Sequence, residues 1–250
     1  MDRAAVDITN ADAVGDALGA VRPGLVLNAA AYTAVDRSES EPEQAQAVNA
    51  VAVGSLAALA GSAGARVVHI STDYVFDGRG GAPYPEEAVP APLGAYGRTK
   101  LAGERALLAS GTPALVIRTQ WLYGDAGGFP IRMLERARAA EPTRVVGDQR
   151  GRPTSVHDLA PAIWRLTLTD VTGLLHLAGG GQATWFEVAE AVFRHVGRPE
   201  LLSPCATADF PTPAPRPLDS RLDCTRAERL LGAPLPDWRT SLQAILARQP

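Results

Sequence analysis

Short apolar segments alternate with longer helical segments along most of this chain, and this alternation limits the folds open to it. Apolar segments of strand length lie at residues 24–28, 66–71 and 114–118. Between the first two lies a segment, residues 42–64, whose apolar side chains recur at helical spacing. Apolar strands separated by helices are typical of a parallel sheet with crossover helices. The sequence therefore predicts an α/β fold with a doubly wound parallel sheet.

The alternation continues to the end of the chain. Two further strands are predicted at residues 144–146 and 173–178, and a short amphipathic helix with a polar cap near Thr9 precedes the first strand. Residues 203–217 are rich in proline and are predicted to be irregular and to wrap over a site. The other predicted helices cover residues 96–108, 129–140, 156–168, 185–196, 225–231 and 238–248.

Composition argues against several classes of protein. The 250 residues carry a net charge of −3, so charge does not point to nucleic acid or to a membrane surface as a partner. The apolar run at residues 51–63 is too short for a bilayer span and is predicted to be a core helix. Cys205 and Cys224 lack metal-site spacing and are expected to be free thiols. These features, and an N-terminus without an apolar signal segment, predict a cytoplasmic protein.

Tyr96 and Lys100 form the most informative pair in the sequence. They are four residues apart on a predicted helix, so their side chains lie on one face, about one turn apart. Lys100 is the only lysine in the chain, which has five tyrosines. A phenol beside an ammonium group makes a proton donor that works near neutral pH. The alternative interpretation is an ordinary exposed helical turn.

Three predicted strands end in side chains suited to ligand binding. Ligands of parallel α/β sheets bind at the carboxyl ends of the strands. The small side chains of residues 28–32 either let a flat cofactor approach the backbone or pack a strand tightly on a helix. The hydroxyls and acid of residues 71–73 either meet a ligand or cap a turn, and Trp121 is either a platform for a sugar-like ligand or a half-buried core residue.

Histidine placement argues against other kinds of catalytic site. The four histidines lie far apart and mostly inside predicted strands or helices, so neither a metal site nor a Ser-His-Asp triad is predicted. They are His69, His157, His176 and His195.

Six segments carry a family resemblance because they occur in the expected order along the whole chain. A strand ending in Ser-Thr, followed about two dozen residues later by Tyr-x-x-x-Lys, resembles the extended short-chain dehydrogenase/reductase superfamily. Together the six segments resemble the dTDP-4-dehydrorhamnose reductase family. They are Asn-Ala-Ala-Ala-Tyr-Thr-Ala-Val-Asp (28–36), Ser-Thr-Asp-Tyr-Val-Phe-Asp-Gly (71–78), Tyr-Gly-Arg-Thr-Lys (96–100), Arg-Thr-Gln-Trp-Leu-Tyr (118–123), Asp-Gln-Arg-Gly-Arg-Pro-Thr (148–154) and Arg-Pro-Leu-Asp-Ser (216–220).

The resemblance implies roles for the residues near the reacting carbonyl group. Tyr96 protonates the C4 carbonyl oxygen of the sugar, and Thr72 hydrogen-bonds to the same oxygen. Lys100 holds the nicotinamide ribose and lowers the pKa of the tyrosine. Asp73 lies against the sugar, and Trp121 packs on it. These roles are what membership of the family implies for this chain.

The resemblance also implies a cofactor site and partners. Ala29, Ala30 and Ala31 line the cofactor, NADPH or NADH, while Asp7 and Ile8 meet its adenine. Arg216 contacts the nucleotide part of a dTDP-linked keto sugar. A homodimer, with Mg²⁺ at its contact, is compatible with the family, but the sequence identifies no metal ligands. Residues 1–170 are expected to form a partial dinucleotide-binding domain that carries the catalytic residues, and residues 171–250 a substrate-binding region.

The implied reaction is the reduction of dTDP-4-dehydro-6-deoxy-L-mannose (dTDP-4-dehydrorhamnose) to dTDP-L-rhamnose, in nucleotide-sugar and cell-envelope polysaccharide biosynthesis. A reductase of another dTDP-4-keto sugar is the nearest alternative. A dTDP-glucose dehydratase is disfavoured, because that family has Asp-Glu after the threonine and here Tyr74 follows Asp73. A non-catalytic alternative is a binding subunit similar to the regulatory subunit of methionine adenosyltransferase.

One family feature has no counterpart in the sequence. The family opens with a strand and a Gly-x-x-Gly-x-x-Gly turn that holds the cofactor pyrophosphate at a helix N-terminus. Two explanations are open: a misassigned start or a truncated chain, and a naturally shortened protein. A missing central strand is expected to leave a gap between the strands at Leu25 and Val67. The chain is therefore expected to be poorly stable, or to close the gap by repacking or self-association.

Overall fold

A parallel sheet lies at the centre of the fold, as the alternation of strands and helices predicts. The structure, a computed structural model, describes residues 5–249. Its strands are β1 (Leu25–Asn28), β2 (Arg66–Thr72), β3 (Ala114–Thr119), β4 (Leu122–Tyr123), β5 (Thr143–Val146), β6 (Arg150–Gly151), β7 (Thr154–Ser155), β8 (Gly173–His176), β9 (Ala183–Thr184) and β10 (Leu202–Cys205). The main sheet has the order β1–β2–β3–β8, and its three pairings are parallel.

Helices cover both faces of this sheet, and each predicted helix is present. They are α1 (Ala11–Val21), α2 (Pro42–Gln46), α3 (Ala52–Ser62), α4 (Ala95–Ala109), α5 (Phe129–Arg138), α6 (Val156–Thr167), α7 (Trp185–His195), α8 (Thr225–Leu231) and α9 (Trp238–Leu246). A π-helical turn, Ala47–Val51, joins α2 to α3. Together they form the continuous helical segment 42–62 that the apolar spacing predicts.

The register of the main sheet brings the carboxyl ends of its strands to one edge. In the β2–β3 pair, Thr72 lies beside Thr119, and in the β3–β8 pair, Arg118 lies beside His176. β1 ends earlier, because Asn28 pairs with His69. The side chains that follow β2 and β3 therefore share one edge, where ligands of such sheets bind.

The expected gap between the first two strands is not present. β1 and β2 pair directly, with Leu25 beside Arg66 and Asn28 beside His69. The helical segment 42–62 makes the crossover between them, so they can be neighbours without a strand in between. Among residues 5–249, no strand pairs with the other edge of β1. The outer edge of β1 is therefore unpaired among these residues, and the expectations of low stability and self-association stay predictions.

The helical segment 42–62 is a core helix. By length and composition alone it is apolar enough to cross a membrane. In the structure, however, Val53 and Ala57 of α3 pack with Val67 of β2 and Val116 of β3 in a buried cluster. Burial of this face against the sheet explains the apolar composition, as the sequence predicts.

A second core lies beside the sheet and changes the predicted domain division. Leu134 of α5 and Val145 of β5 pack there with Phe193 of α7 and Leu242 of α9. β8, from the C-terminal part of the chain, instead completes the main sheet. The chain thus crosses between the two cores more than once, and a boundary at residue 170 does not separate them.

The proline-rich segment 203–217 is only partly irregular. Its start belongs to β10, which pairs in parallel with β5, with Leu202 beside Thr143 and Cys205 beside Val146. Pro204 is compatible with this strand because a two-stranded ribbon leaves one edge of each strand unpaired. Cys205 and Cys224 are both free.

Candidate active site

Thr72 and Asp73 lie where β2 ends and turns into a short 3-10 helix, Asp73–Val75. The Thr72 hydroxyl caps this turn by accepting from the backbone N–H of Tyr74 at 3.2 Å, and it donates to Asp73 Oδ1 at 3.2 Å. Ser220 Oγ donates to the other carboxylate oxygen of Asp73. The capped-turn interpretation of residues 71–73 is therefore correct as local structure, and the cap holds the Thr72 hydroxyl at the strand end.

The carboxyl of Asp73 is almost fully enclosed. Its residue is 1% exposed. Burial raises the pKa of Asp73 to about 7, although the hydrogen bonds from Ser220 and Thr72 lower it. The structure thus places Asp73 within hydrogen-bonding contact of Thr72, while leaving little of its surface open to a ligand.

Helix α4 brings Tyr96 to the end of β2. The helix can approach closely because Gly97 has no side chain: a Cβ there would overlap the carbonyl oxygen of Tyr74. The Tyr96 ring meets the Tyr74 ring edge-on, with 5.7 Å between centroids. Burial raises the pKa of Tyr96 to about 12, the nearby Thr72 hydroxyl lowers it, and Asp73 raises it. Tyr96 is therefore protonated at neutral pH and lies near the Thr72 hydroxyl.

Lys100 points from the same helix into the protein interior. It is 1% exposed, and its Nζ donates to the carbonyl oxygen of Ile70 at 2.7 Å. A ring nitrogen of His69 lies 3.2 Å from Nζ. Burial lowers the pKa of Lys100 to about 8, and the carboxylate of Glu104 opposes this effect. An ordinary exposed helical turn is excluded for this pair.

A buried ion pair fastens α4 to the strands beneath it. Arg118 of β3 donates to both carboxylate oxygens of Glu104, at 2.9 and 2.6 Å. Ser71 of β2 hydrogen-bonds to Glu104 as well. The Arg118 guanidinium lies over the Phe76 ring at 5.1 Å. This bidentate geometry fixes the helix, and with it Tyr96, relative to the strand ends.

A cavity of about 840 Å³ lies along the outer edge of β1 and is lined by five of the predicted cofactor-binding residues. Asp7 and Ile8 line one part, and Ala29, Ala30 and Ala31 line another. Its size and its mostly apolar lining suit a dinucleotide, and the alanines leave the backbone open to a flat group. The lining residues therefore fit a flat cofactor group beside the alanines.

The catalytic candidates do not line this cavity but are connected to it by two hydrogen-bond chains. In the first, Asn28 of the cavity wall bonds to His69, which contacts Lys100. In the second, Asn49 of the π-helical turn accepts from the backbone N–H of Tyr32 at 2.8 Å and donates to Thr99 at 3.1 Å. The cavity wall is thereby held against the helix that carries Tyr96.

Comparisons with known proteins agree with the family that the sequence motifs predict. A family described as "RmlD substrate binding domain" matches residues 1–249. The dTDP-4-dehydrorhamnose reductase of Escherichia coli K12 is 41% identical over 252 residues, covering 96% of this chain and 84% of the relative. The chain belongs to the dTDP-4-dehydrorhamnose reductase family. The predicted family, and the NAD(P)-dependent oxidoreductase class that it implies, are confirmed.

Two further comparisons bear on fold and substrate. The structure of a Bacillus anthracis dTDP-4-dehydrorhamnose reductase in complex with NADP superposes with a TM-score of 0.95 and 34% identity, covering 100% of this chain and 89% of that one. A Streptomyces antibioticus protein with the name "Probable dTDP-4,6-dihydroxy-2-methyloxan-3-one 4-ketoreductase" is 44% identical over 242 residues, covering 95% of this chain and 82% of the relative.

In this family member, Trp121 lies just beyond the end of β3 in an unusual backbone conformation. Its φ of 50° is in the left-handed region, which is rare for a bulky residue. The ring stacks on Trp185, with 3.6 Å between centroids and 11° between planes. Gly151 also lies against the ring, where a Cβ would overlap the indole. Trp121 is thus a fixed, half-buried ring, and sequence reasoning missed its support, Trp185.

The segment around Arg216 crosses over the strand ends, in agreement with the predicted wrapping. Arg216 pairs with Asp36 at 3.0 Å, and its guanidinium lies 5.8 Å from the centre of the Tyr74 ring. Further along, the backbone carbonyl of Ser220 accepts from Gln120 at 3.1 Å. The segment thus places Arg216 beside the Tyr74 ring, and another neighbour of that ring is Tyr96.

Thr119 is a second residue that sequence reasoning missed. It pairs in register with Thr72 and is 3% exposed. Within residues 5–249, its hydroxyl has no hydrogen-bond partner. Buried hydroxyls without partners are uncommon, so this one is a candidate contact for a ligand. The Arg-Thr-Gln-Trp segment contained the signal, since this threonine precedes Trp121 by two residues.

Metal binding has no structural support in the described part of the chain. Across residues 5–249, no three histidine, cysteine, aspartate or glutamate side chains converge on one point. The Mg²⁺ ion implied by the resemblance stays a prediction without named ligands.

Proposed function

We propose that this protein reduces the C4 keto group of dTDP-4-dehydrorhamnose to give dTDP-L-rhamnose, with NADPH or NADH as reductant. The observation that carries the proposal is the placement of a protonated Tyr96, brought by α4, near the Thr72 hydroxyl at the carboxyl end of the sheet. Two hydroxyls held together there can both reach one carbonyl oxygen. Family membership supports the same reaction class.

The protein's contribution to chemistry is to stabilise and protonate the developing alkoxide. The nicotinamide supplies the hydride when it is bound. As negative charge grows on the carbonyl oxygen, Thr72 and Tyr96 donate hydrogen bonds to it, and Tyr96 then transfers its proton. The cap on the 3-10 turn and the ion pair under α4 hold the two donors in place before reaction.

The remaining residues are proposed to bind and orient the reactants. Ala29–Ala31 accept the flat part of the cofactor, Asp7 and Ile8 hold its adenine, and Lys100 holds the nicotinamide ribose. The half-buried ring of Trp121 packs on the sugar, and Arg216 binds the nucleotide part of the substrate. Asp73 influences substrate binding indirectly, because it accepts a hydrogen bond from Thr72, which contacts the substrate.

A second candidate substrate is a dTDP-4-keto sugar without the 2-hydroxyl group. The Streptomyces antibioticus relative favours it, because the ketone in that protein's name, read as a sugar, lacks this hydroxyl. A site that hydrogen-bonds a substrate hydroxyl strongly rejects an analogue without it, whereas an apolar site discriminates weakly. The ratio of kcat/KM for the two ketones therefore separates the candidates.

The binding-subunit alternative is less well supported by the site. A protein that only binds has no need of a protonated tyrosine held against a threonine by a buried ion pair. Assembly as a homodimer and a cytoplasmic location both stay predictions.

The test is a direct assay. Purified protein is given NADPH or NADH with each dTDP-4-keto sugar, and oxidation of the cofactor is followed together with the sugar product. Turnover of dTDP-4-dehydrorhamnose at the higher kcat/KM supports the proposal. Turnover of neither ketone, with cofactor binding detected by nicotinamide fluorescence, would instead support the binding-subunit alternative.

A further inference from the structure

His69 is buried between the cavity wall and Lys100, and both of its ring nitrogens have partners. The residue is 0% exposed. Nδ1 lies 3.0 Å from the side-chain nitrogen of Asn28, and Nε2 lies 3.2 Å from Nζ of Lys100. Burial and the charge of Lys100 both lower the pKa of His69 well below its ordinary value. The imidazole is therefore neutral and carries one proton on one nitrogen.

The Asn28 amide decides which nitrogen carries that proton. The backbone N–H of Ala30 donates to Asn28 Oδ1 at 3.0 Å, so this oxygen faces Ala30. The amide nitrogen, which can only donate, is then turned toward His69. It requires an acceptor at Nδ1, so the proton of His69 is at Nε2.

An N–H at Nε2 of His69 points at the side-chain nitrogen of Lys100. An ammonium group has three N–H bonds and no lone pair, whereas a neutral amine has one lone pair that accepts a hydrogen bond. The 3.2 Å contact is thus favourable for the amine and unfavourable for the ammonium. The amine keeps a hydrogen to donate to the carbonyl of Ile70.

The other charged groups near Lys100 do not reverse this preference. Glu104 is the nearby carboxylate on α4, and it favours the ammonium form. It is, however, paired with Arg118 through two hydrogen bonds and also bonds to Ser71. Much of its negative charge is therefore balanced by the Arg118 guanidinium.

We propose that Asn28 and His69 are positioning residues that present a ring N–H to the side-chain nitrogen of Lys100, which favours its neutral amine form over the ammonium form. The inference rests on the proposed function, because it concerns the lysine assigned there to the nicotinamide ribose. Asn28, a residue of the cavity wall, thus influences the protonation state of that lysine. A change at residue 28 is thereby transmitted to Lys100 through the ring of His69.

The chain offers a direct measurement, because Lys100 is its only lysine. Selective ¹³C,¹⁵N-lysine labelling gives one side-chain NMR signal, whose pH titration reports the pKa of Lys100. Imidazole ¹⁵N spectra report the tautomer of His69, which is assigned by the signal lost in His69→Gln. We expect a Nε2–H tautomer and a Lys100 pKa more than about 1 below the reference value near 10.4. A Nδ1–H tautomer, or an ordinary Lys100 pKa, overturns the proposal.

Asn28→Asp tests the connection between the three residues. A carboxylate accepts from both Ala30 and the ring, so the proton of His69 should move to Nδ1 and Nε2 should accept from the Lys100 ammonium. The pKa of Lys100 should then rise by about 1 or more. The new charge also raises it through space, so the same change is made with His69→Phe as control. An equal rise in both backgrounds overturns the proposal.

These readings do not depend on catalysis, so the two hypotheses fail separately. A protein with the expected tautomer and Lys100 pKa but no turnover of either ketone retains the inference about the hydrogen-bond chain and refutes the proposed function. Turnover with an ordinary Lys100 pKa refutes only the inference. If Asn28→Asp does not fold, the wild-type tautomer and titration decide the matter alone.

Discussion

Thr72 and Thr119 lie side by side at the carboxyl ends of β2 and β3, yet only the Thr72 hydroxyl has hydrogen-bond partners within residues 5–249. A buried hydroxyl without a partner costs free energy of folding, and such costs are retained where a ligand later supplies the partner. The pairing therefore places an additional donor next to the proposed oxyanion contact.

Thr119→Val should stabilise the protein while weakening its function. Removing the unpaired hydroxyl is expected to raise the free energy of unfolding by about 1 kcal/mol, measured by urea denaturation. If the hydroxyl contacts the reactants, KM for the keto sugar or the cofactor should rise several-fold. Thr119→Ser, which keeps a hydroxyl, is the matched control. A valine variant with unchanged stability and unchanged KM would show that Thr119 has no such role.

Tyr96→Phe should remove proton transfer and leave binding intact. Because Tyr96 is protonated at neutral pH, it acts as the acid, and loss of its hydroxyl is expected to lower kcat by roughly 10²- to 10⁴-fold. The cofactor Kd, measured by nicotinamide fluorescence, should change little. Tyr84→Phe is the control, since its hydroxyl bonds to Asp77 instead. Near-normal turnover by Tyr96→Phe would refute the assigned role.

How far the sequence predicts this fold and site depends on the range of the interactions involved. Tyr96 and Lys100 were predictable because helical spacing is local, and the α/β class was predictable because burial imposes a pattern on each segment. Which strands are neighbours is a property of the whole sheet, so the expected gap between β1 and β2 was wrong. The contact between His69 and Lys100 joins residues 31 apart in sequence, and no local pattern reports it.

The same distinction holds for the residues that the sequence missed. Trp185 supports Trp121 only because the turn after β3 and the start of α7, 64 positions apart by residue number, meet in the fold. The strand β10 contains Pro204, which argues locally against a strand but is tolerated in a two-stranded ribbon. In both cases tertiary packing overrides the local signal.

Leu27→Lys should reduce self-association. Among residues 5–249, the outer edge of β1 has no strand partner, and Leu27 on this strand is 51% exposed. Unpaired edges with apolar side chains promote edge-to-edge contact, which a lysine opposes. Sedimentation velocity over a range of concentrations should show less association for this variant. Leu108→Lys, at a 44% exposed position on α4, is the control. Equal behaviour of both variants would count against an association through β1.

Asp73→Asn should change how stability depends on pH. An aspartate has a pKa near 3.9 in an unfolded chain, whereas burial raises the pKa of Asp73 to about 7 in the folded protein. Between these values the folded state binds the extra proton. The stability that the neutral carboxyl contributes is therefore complete below about pH 4 and is lost as pH rises through 7. Asparagine keeps a neutral group at every pH.

The stability of Asp73→Asn relative to the wild type should therefore increase as pH rises. We compare the free energy of unfolding of Asp73→Asn with that of the wild type at pH 4.5 and at pH 7.5, by urea denaturation. The difference should shift in favour of the variant by roughly 1–3 kcal/mol between these two pH values. Asp223→Asn is a control of opposite sign, because hydrogen bonds from Thr225 lower the pKa of Asp223. Asp223→Asn should be less stable than the wild type at pH 7.5, and this loss of stability should disappear at low pH. A difference between Asp73→Asn and the wild type that does not change with pH would mean that the Asp73 carboxyl is already ionised in the folded protein across this range.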